Sequence, residues 1–245
     1  MPRSCSVYLK GAVMGLFNLS LPEILIRIPV VLTALMIHEI AHGYVAFRLG
    51  DPTARNFGRL TMNPLKHLDP MGAICMLLFG FGWARPVPIN TRYFKKPRRD
   101  MALTALAGPV SNFILTFIGI LLVDISIVIF GALPEVSGFS ASLQEVWLTF
   151  LSTWISLNVY LGVFNMLPVP PLDGSRIFLT FLPPKYYFGI MRYERYIMLG
   201  LFAALYIGLL DGVLVFVAQL LIKAMAFVVS LIPGLGAFFK MVTMF

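Results

Sequence analysis

Charge is scarce in this chain of 245 residues. Asp, Glu, Lys and Arg together make up 12% of it, against about 25% in soluble globular domains. With 59% hydrophobic residues and a mean hydropathy of +0.87, that scarcity excludes an ordinary soluble fold. Cysteine is scarcer still: Cys5 and Cys75 lie far apart, one in the amino-terminal tail and one in an apolar stretch, so they imply neither a disulfide framework nor a thiolate metal cluster. Only three histidines exist, so an imidazole site must draw on His38, His42 and His67. Internal repeats, low-complexity tracts and a compositional break are missing as well. The expectation is one integral-membrane unit over residues 1–245, with a functional core at about 21–175 and C-terminal helices at about 194–232. Arg3 and Lys10 precede only a short apolar stretch, Gly11 to Phe17, without a small-residue cleavage site, which reads as no removed signal peptide.

A net charge of +8 resembles a nucleic-acid signature until the charges are located. Arg48, Arg55, Arg59 and Lys66 follow the first long apolar run; Arg85, Arg92, Lys95, Lys96, Arg98 and Arg99 precede the second; Arg176, Lys185, Arg192 and Arg195 fall in a later loop. Residues 131–144 contain no Lys or Arg. The positive-inside rule puts the three basic segments in the cytoplasm and residues 131–144 on the far side. The basic charge then marks topology, and no nucleic-acid partner is expected.

Apolar runs at about 21–47, 101–130 and 146–167 reach the roughly 20 residues that cross a bilayer. The tail holds two more, at 196–210 and 213–232, although one long bent helix fits there too. Residues 71–83, about 13 long and glycine-rich, are too short to cross and suit a re-entrant segment. Residues 85–94 carry Pro86 and Pro88 and read as extended chain at an edge, since proline cannot donate within a sheet. The fold class is an all-α polytopic membrane protein of about five to six transmembrane helices, with a re-entrant segment and a short β-like loop. Asp124 falls toward the far interface and reads as a snorkelling residue; Asn112 and Asn158 read as helix-packing amides.

His38-Glu39-Ile40-Ala41-His42 sits inside the first apolar run. Residues four apart on a helix are offset by about 40° around the axis, with their bases roughly 6 Å apart. Both imidazoles therefore point one way, as two ligands of a tetrahedral zinc do, and Glu39 between them can act as a base on water. Polar groups at that depth cost several kcal/mol, on the order of 3 for a charged one, unless they face a cavity, a partner or a metal. A third protein ligand is needed, with the fourth position kept for water. The imidazole option is His67, and Asp69 is a weaker carboxylate option. The sharpest candidate is Asp173, in Asn165-Met166-Leu167-Pro168-Val169-Pro170-Pro171-Leu172-Asp173-Gly174, where three prolines in four residues stop the third span at the depth of the histidines. Gly174 permits a tight turn there. Asn165 reads equally well as an oxyanion donor or as a helix–helix hydrogen bond.

These two motifs together resemble the site-2 protease family of intramembrane zinc metalloproteases. Asn63-Pro64 with Asp69-Pro70, residues 83–90, and Ala107-Gly108-Pro109 with Asn112 are similar to that family as well. The resemblance covers about residues 37–174 and matches the short prokaryotic type, since no polar insertion long enough for a PDZ domain lies between the motifs. It implies one Zn2+ per chain held by His38, His42 and Asp173, with Glu39 as general base. It further implies a membrane-protein substrate cleaved in or near a transmembrane helix and an enzyme in the cell membrane, and the positive-inside count puts the active site toward the cytoplasm. Pro86, Val87, Pro88, Ile89 and Asn90 are candidates to bind the unwound substrate by strand addition. A zinc carrier would have no evident need for Glu39, and a catalytically dead binding protein would have no need for the complete motif set. The substrate and the oligomeric state are not legible.

Overall fold

The computed structural model describes residues 21–69, 71–72, 84–132, 138–181, 189–190 and 192–243. Most of the expected re-entrant segment, both cysteines and part of the 131–144 connection lie outside them. Among the described residues the chain is helical, and its one β feature is an isolated antiparallel bridge between Leu68 and Ala84. In chain order the α-helices are α1 (Leu21–Arg48), α2 (Thr53–Asn56), α3 (Pro97–Ala132), α4 (Phe139–Asn165), α5 (Asp173–Leu179), α6 (Glu194–Tyr206), α7 (Asp211–Ser230) and α8 (Ala237–Thr243). Four of these, α1, α3, α4 and α7, are long and apolar enough to cross a bilayer. The protein is an all-α polytopic membrane protein. The expected span at 196–210 is instead α6, whose 13 residues rise only about 20 Å, short of a hydrocarbon core of about 30 Å. A turn through Gly208, at φ +72°, separates it from α7.

The long helices expose apolar residues and bury an apolar core together with a smaller set of polar groups. Along α3, Ile114, Ile118, Leu122 and Ile125 recur every three or four residues and stay exposed, as a lipid-facing stripe does. The opposite face buries Asn112, Thr116 and Asp124. Ile120 and Val123 of α3 meet Leu151, Ile155 and Val159 of α4 and Leu214, Ala218 and Ile222 of α7 in the apolar core. Helix α1 packs against both α3 and α4, and the short α5 lies against α3.

Asp124 corrects its sequence reading. It is fully buried, and its Oδ1 accepts the backbone N–H of Phe238 at 2.9 Å, fastening the start of α8 to α3. Its Oδ1 thus takes up a backbone donor that lipid could not satisfy, while the buried Oδ2 has no hydrogen-bond partner among the described residues.

Above the site, the chain leaves α1 through Gly50, at φ +109°, into the buried Asp51. Asp51 Oδ1 accepts the Thr53 N–H, and Oδ2 accepts the Asn90 N–H at 2.6 Å. Arg85 donates its N–H to the His67 carbonyl at 2.8 Å, and the buried Arg59 guanidinium donates to the Arg85 carbonyl. Residues 84–90 are thereby stretched across the end of α1. The extended form ends at Asn90, whose side chain caps a 3-10 turn at Thr91–Tyr93, so the last part of the expected extended stretch is not extended.

Removing the Asp124 acceptor leaves a buried N–H unsatisfied, which costs about 1–3 kcal/mol. Asp124→Ala should therefore speed amide exchange at Phe238 roughly tenfold or more, whereas Asp124→Asn, which keeps an acceptor, should stay near wild type.

Candidate metal centre

Helical spacing puts His38 and His42 on the inward face of α1, both buried, with ring centroids 4.6 Å apart and planes at 85°. Asp173 arrives from the other end of the sequence. Helix α4 stops at Asn165, the proline-rich loop follows, and α5 begins on Asp173 itself. Asp173 Oδ2 lies 3.0 Å from His38 Nε2 and 3.1 Å from His42 Nε2, and the two Nε2 atoms are 3.0 Å apart. Donors about 2.0–2.2 Å from a tetrahedral zinc stand roughly 3.3 Å from one another, so the triangle has the size a metal requires.

The outer nitrogens sharpen this. His38 Nδ1 meets Asn112 Oδ1 at 2.6 Å, and His42 Nδ1 meets the Thr104 carbonyl at 2.7 Å. An oxygen acceptor at Nδ1 keeps the proton there, leaving the Nε2 of each neutral imidazole as a lone pair. Two such lone pairs and a carboxylate oxygen then converge on one small space and repel unless a cation lies between them. Among the described residues, this is the group of His, Cys, Asp or Glu with metal-binding spacing. Its donor chemistry, two imidazoles and one carboxylate with one position left over, fits zinc. Asp173 keeps 15% of its side chain exposed, so the cluster is not sealed.

A model of peptidase family M50 matches residues 27–207. The chain belongs to peptidase family M50, the site-2 proteases. It is similar to YwhC of Bacillus subtilis, at 52% identity over 147 residues, covering 60% of this chain and 64% of that one. Rip2 of Mycolicibacterium smegmatis is 31% identical over 149 residues, covering 58% and 52%. MJ0392 of Methanocaldococcus jannaschii is 27% identical over 153 residues, covering 62% and 33%. All three are named as zinc metalloproteases, the first two provisionally. The matched stretch spans less than two thirds of each of these relatives. No solved structure matches the chain.

The other candidate residues of this M50 chain fall as follows. Glu39 is half-buried, and its Oε2 accepts the Val87 N–H at 2.8 Å. The extended residues therefore reach the site through a backbone donor. Pro86, Pro88, Ile89 and Asn90 flank that contact, with Asn90 anchored on Asp51. Asn165 is half-buried and donates Nδ2 to the Leu161 carbonyl of its own helix at 3.0 Å. His67 lies outside the cluster, its Nε2 on the Thr61 carbonyl at 2.9 Å, and Asp69 caps the Gly72 N–H. Neither is a third ligand here.

Sequence reasoning missed several contributors. Asn112 is more than a packing amide, since it faces His38 directly. Gly108 was visible only as part of a familiar Ala-Gly-Pro string. A Cβ there would collide with His42 Nε2 and come within 2.6 Å of His38 Cε1, so α3 can pass the imidazoles only as glycine. Gly174 is needed for a different reason than a turn. It lies within α5 without a positive φ, and a Cβ would strike the backbone carbonyls of Met166 and Leu167. Gly108→Ala should accordingly cut bound zinc by about tenfold or more, on the scale of a disturbed ligand shell. Elemental analysis of purified protein with unchanged helical circular dichroism would check it.

Proposed function

We propose that this M50 chain is a zinc metalloendopeptidase of the cell membrane. In this reading it binds one Zn2+ per chain and hydrolyses a peptide bond in or near a transmembrane segment of a membrane-protein substrate. The observation that carries it is the carboxylate of Glu39, one residue from a metal ligand, held by the Val87 N–H beside the triangle of His38, His42 and Asp173.

Zinc held by those three residues would lower the pKa of a water toward about 7 and polarise the scissile carbonyl. Glu39 takes the proton of the attacking water and passes it to the leaving amine. The Val87 N–H holds Oε2, which turns the second oxygen of Glu39 to that task. Asn165 has a second amide hydrogen beyond the one given to Leu161, and this is the donor suited to the developing oxyanion. Water reaches the site from the cytoplasmic side, the side to which the positive-inside count assigns the basic loops.

A helical substrate hides its carbonyls in hydrogen bonds and must unwind before attack. Residues 86–90 bind the unwound stretch. The Arg85 and Val87 N–H groups are taken by His67 and Glu39, so an added strand meets the edge of Pro86 and Pro88, which presents carbonyls and no N–H. That edge can accept substrate N–H groups but cannot donate to substrate carbonyls.

The test is Glu39→Gln against wild type, with candidate single-span membrane proteins as substrates and zinc measured in both. A general base contributes about 10²–10⁴-fold. The variant should keep zinc and lose cleavage by that factor. Undiminished cleavage would remove Glu39 from the mechanism, and absence of cleavage by wild type across the substrate panel would count against a protease.

A further inference from the structure

His42 and His38 present the same lone pair to the metal position but are oriented by different means. His42 Nδ1 faces a backbone carbonyl, that of Thr104, which can only accept. His38 Nδ1 faces a side-chain amide, which is ambiguous: turned over, Asn112 would offer N–H to Nδ1, draw the proton to Nε2 and block metal binding. Something must fix which end of Asn112 points at the imidazole.

The structure contains a chain of groups that does so. Asn158 Nδ2 donates to the Trp154 carbonyl at 2.9 Å, and this backbone acceptor leaves Asn158 no choice of orientation. Its Oδ1 is thereby directed at Asn112 and accepts Nδ2 at 3.0 Å. Asn112 Oδ1 is in turn directed at His38 Nδ1, at 2.6 Å. Both amides are fully buried, so no water competes to turn either one over. Polarity is set at a helix carbonyl of α4, carried across to α3, and delivered to α1.

We propose that Asn158 is a positioning residue for the metal centre, acting through Asn112 to keep His38 in the Nδ1–H tautomer with its Nε2 lone pair on the metal. The proposal rests on the reading that His38 is a metal ligand, and the test separates the two. Partners of this kind typically change metal affinity by about 10–100-fold when removed.

In purified full-length protein, zinc affinity is measured by chelator competition, and the His38 tautomer in the metal-free protein by 15N chemical shift. Asn112→Leu should weaken zinc binding about 10–100-fold. Asn158→Leu should weaken binding and shift part of His38 to the Nε2–H form. The double variant Asn112→Leu/Asn158→Leu should be no weaker than Asn112→Leu alone, because Asn158 acts only through Asn112. Unaltered affinity and tautomer in Asn158→Leu would overturn the proposal, and so would additive losses in the double variant, which are the mark of independent packing damage. A wild type that binds no zinc yet holds His38 as Nδ1–H, and loses that preference in Asn158→Leu, would sustain the relay and overturn the metal reading.

Discussion

Three electron-rich atoms converge inside an apolar bundle, Nε2 of His38, Nε2 of His42 and Oδ2 of Asp173, all within 3.1 Å of one another. Without a cation this is a repulsive arrangement, and in the low dielectric of a membrane protein interior the repulsion is stronger than it would be in water. Much of the surrounding structure serves to hold these atoms together. Helix α1 supplies two of them through helical spacing, α3 passes close enough to constrain both rings because it carries Gly108, and the proline-rich loop after α4 delivers the third. Each imidazole is fixed by a proton acceptor at its outer nitrogen, both acceptors belonging to α3.

The same helices must also face lipid. An apolar exterior stripe on α3 and a polar interior with Asn112, Thr116, Asn158 and Asp124 are two sides of one constraint, since a polar group that faced hydrocarbon would have no partner. Side-chain hydrogen bonds between helices then contribute little net stability, about 0.6 kcal/mol on average in membranes. Their value here lies in specifying orientation. At the end of α1, Asp51, Arg59, His67 and Glu39 do the same for residues 84–90, fastening an irregular stretch of backbone against Glu39, the neighbour of His38.

How much of this was legible in the sequence depended on whether the signal was local. His38, Glu39 and His42 form a short helical motif whose geometry follows from 3.6 residues per turn, and Asp173 stood out through the prolines before it. The four long spans were legible from apolar length. The shortness of α6 was not, because its apolar run continues through Gly208, where the helix ends. Asn112 could not be told from a packing amide, since its partner is 74 residues away in sequence. Asp124 was misread for the same reason, its partner being the backbone of Phe238. The Val87 contribution is a main-chain N–H and leaves no mark in residue identity. Gly108 carried a weak signal, a glycine beside a proline within a long apolar helix, which a search for close helix approach would have picked out.

The central claim is that the two imidazoles and the Asp173 carboxylate together hold one zinc ion. X-ray absorption at the zinc edge, on purified protein and on Asp173→Ala, tests it most directly. The expected spectrum shows two imidazole nitrogens and oxygen donors at about 2.0–2.2 Å, with one oxygen fewer in the variant. A shell containing sulfur at about 2.3 Å, or a spectrum unchanged by the loss of Asp173, would contradict it.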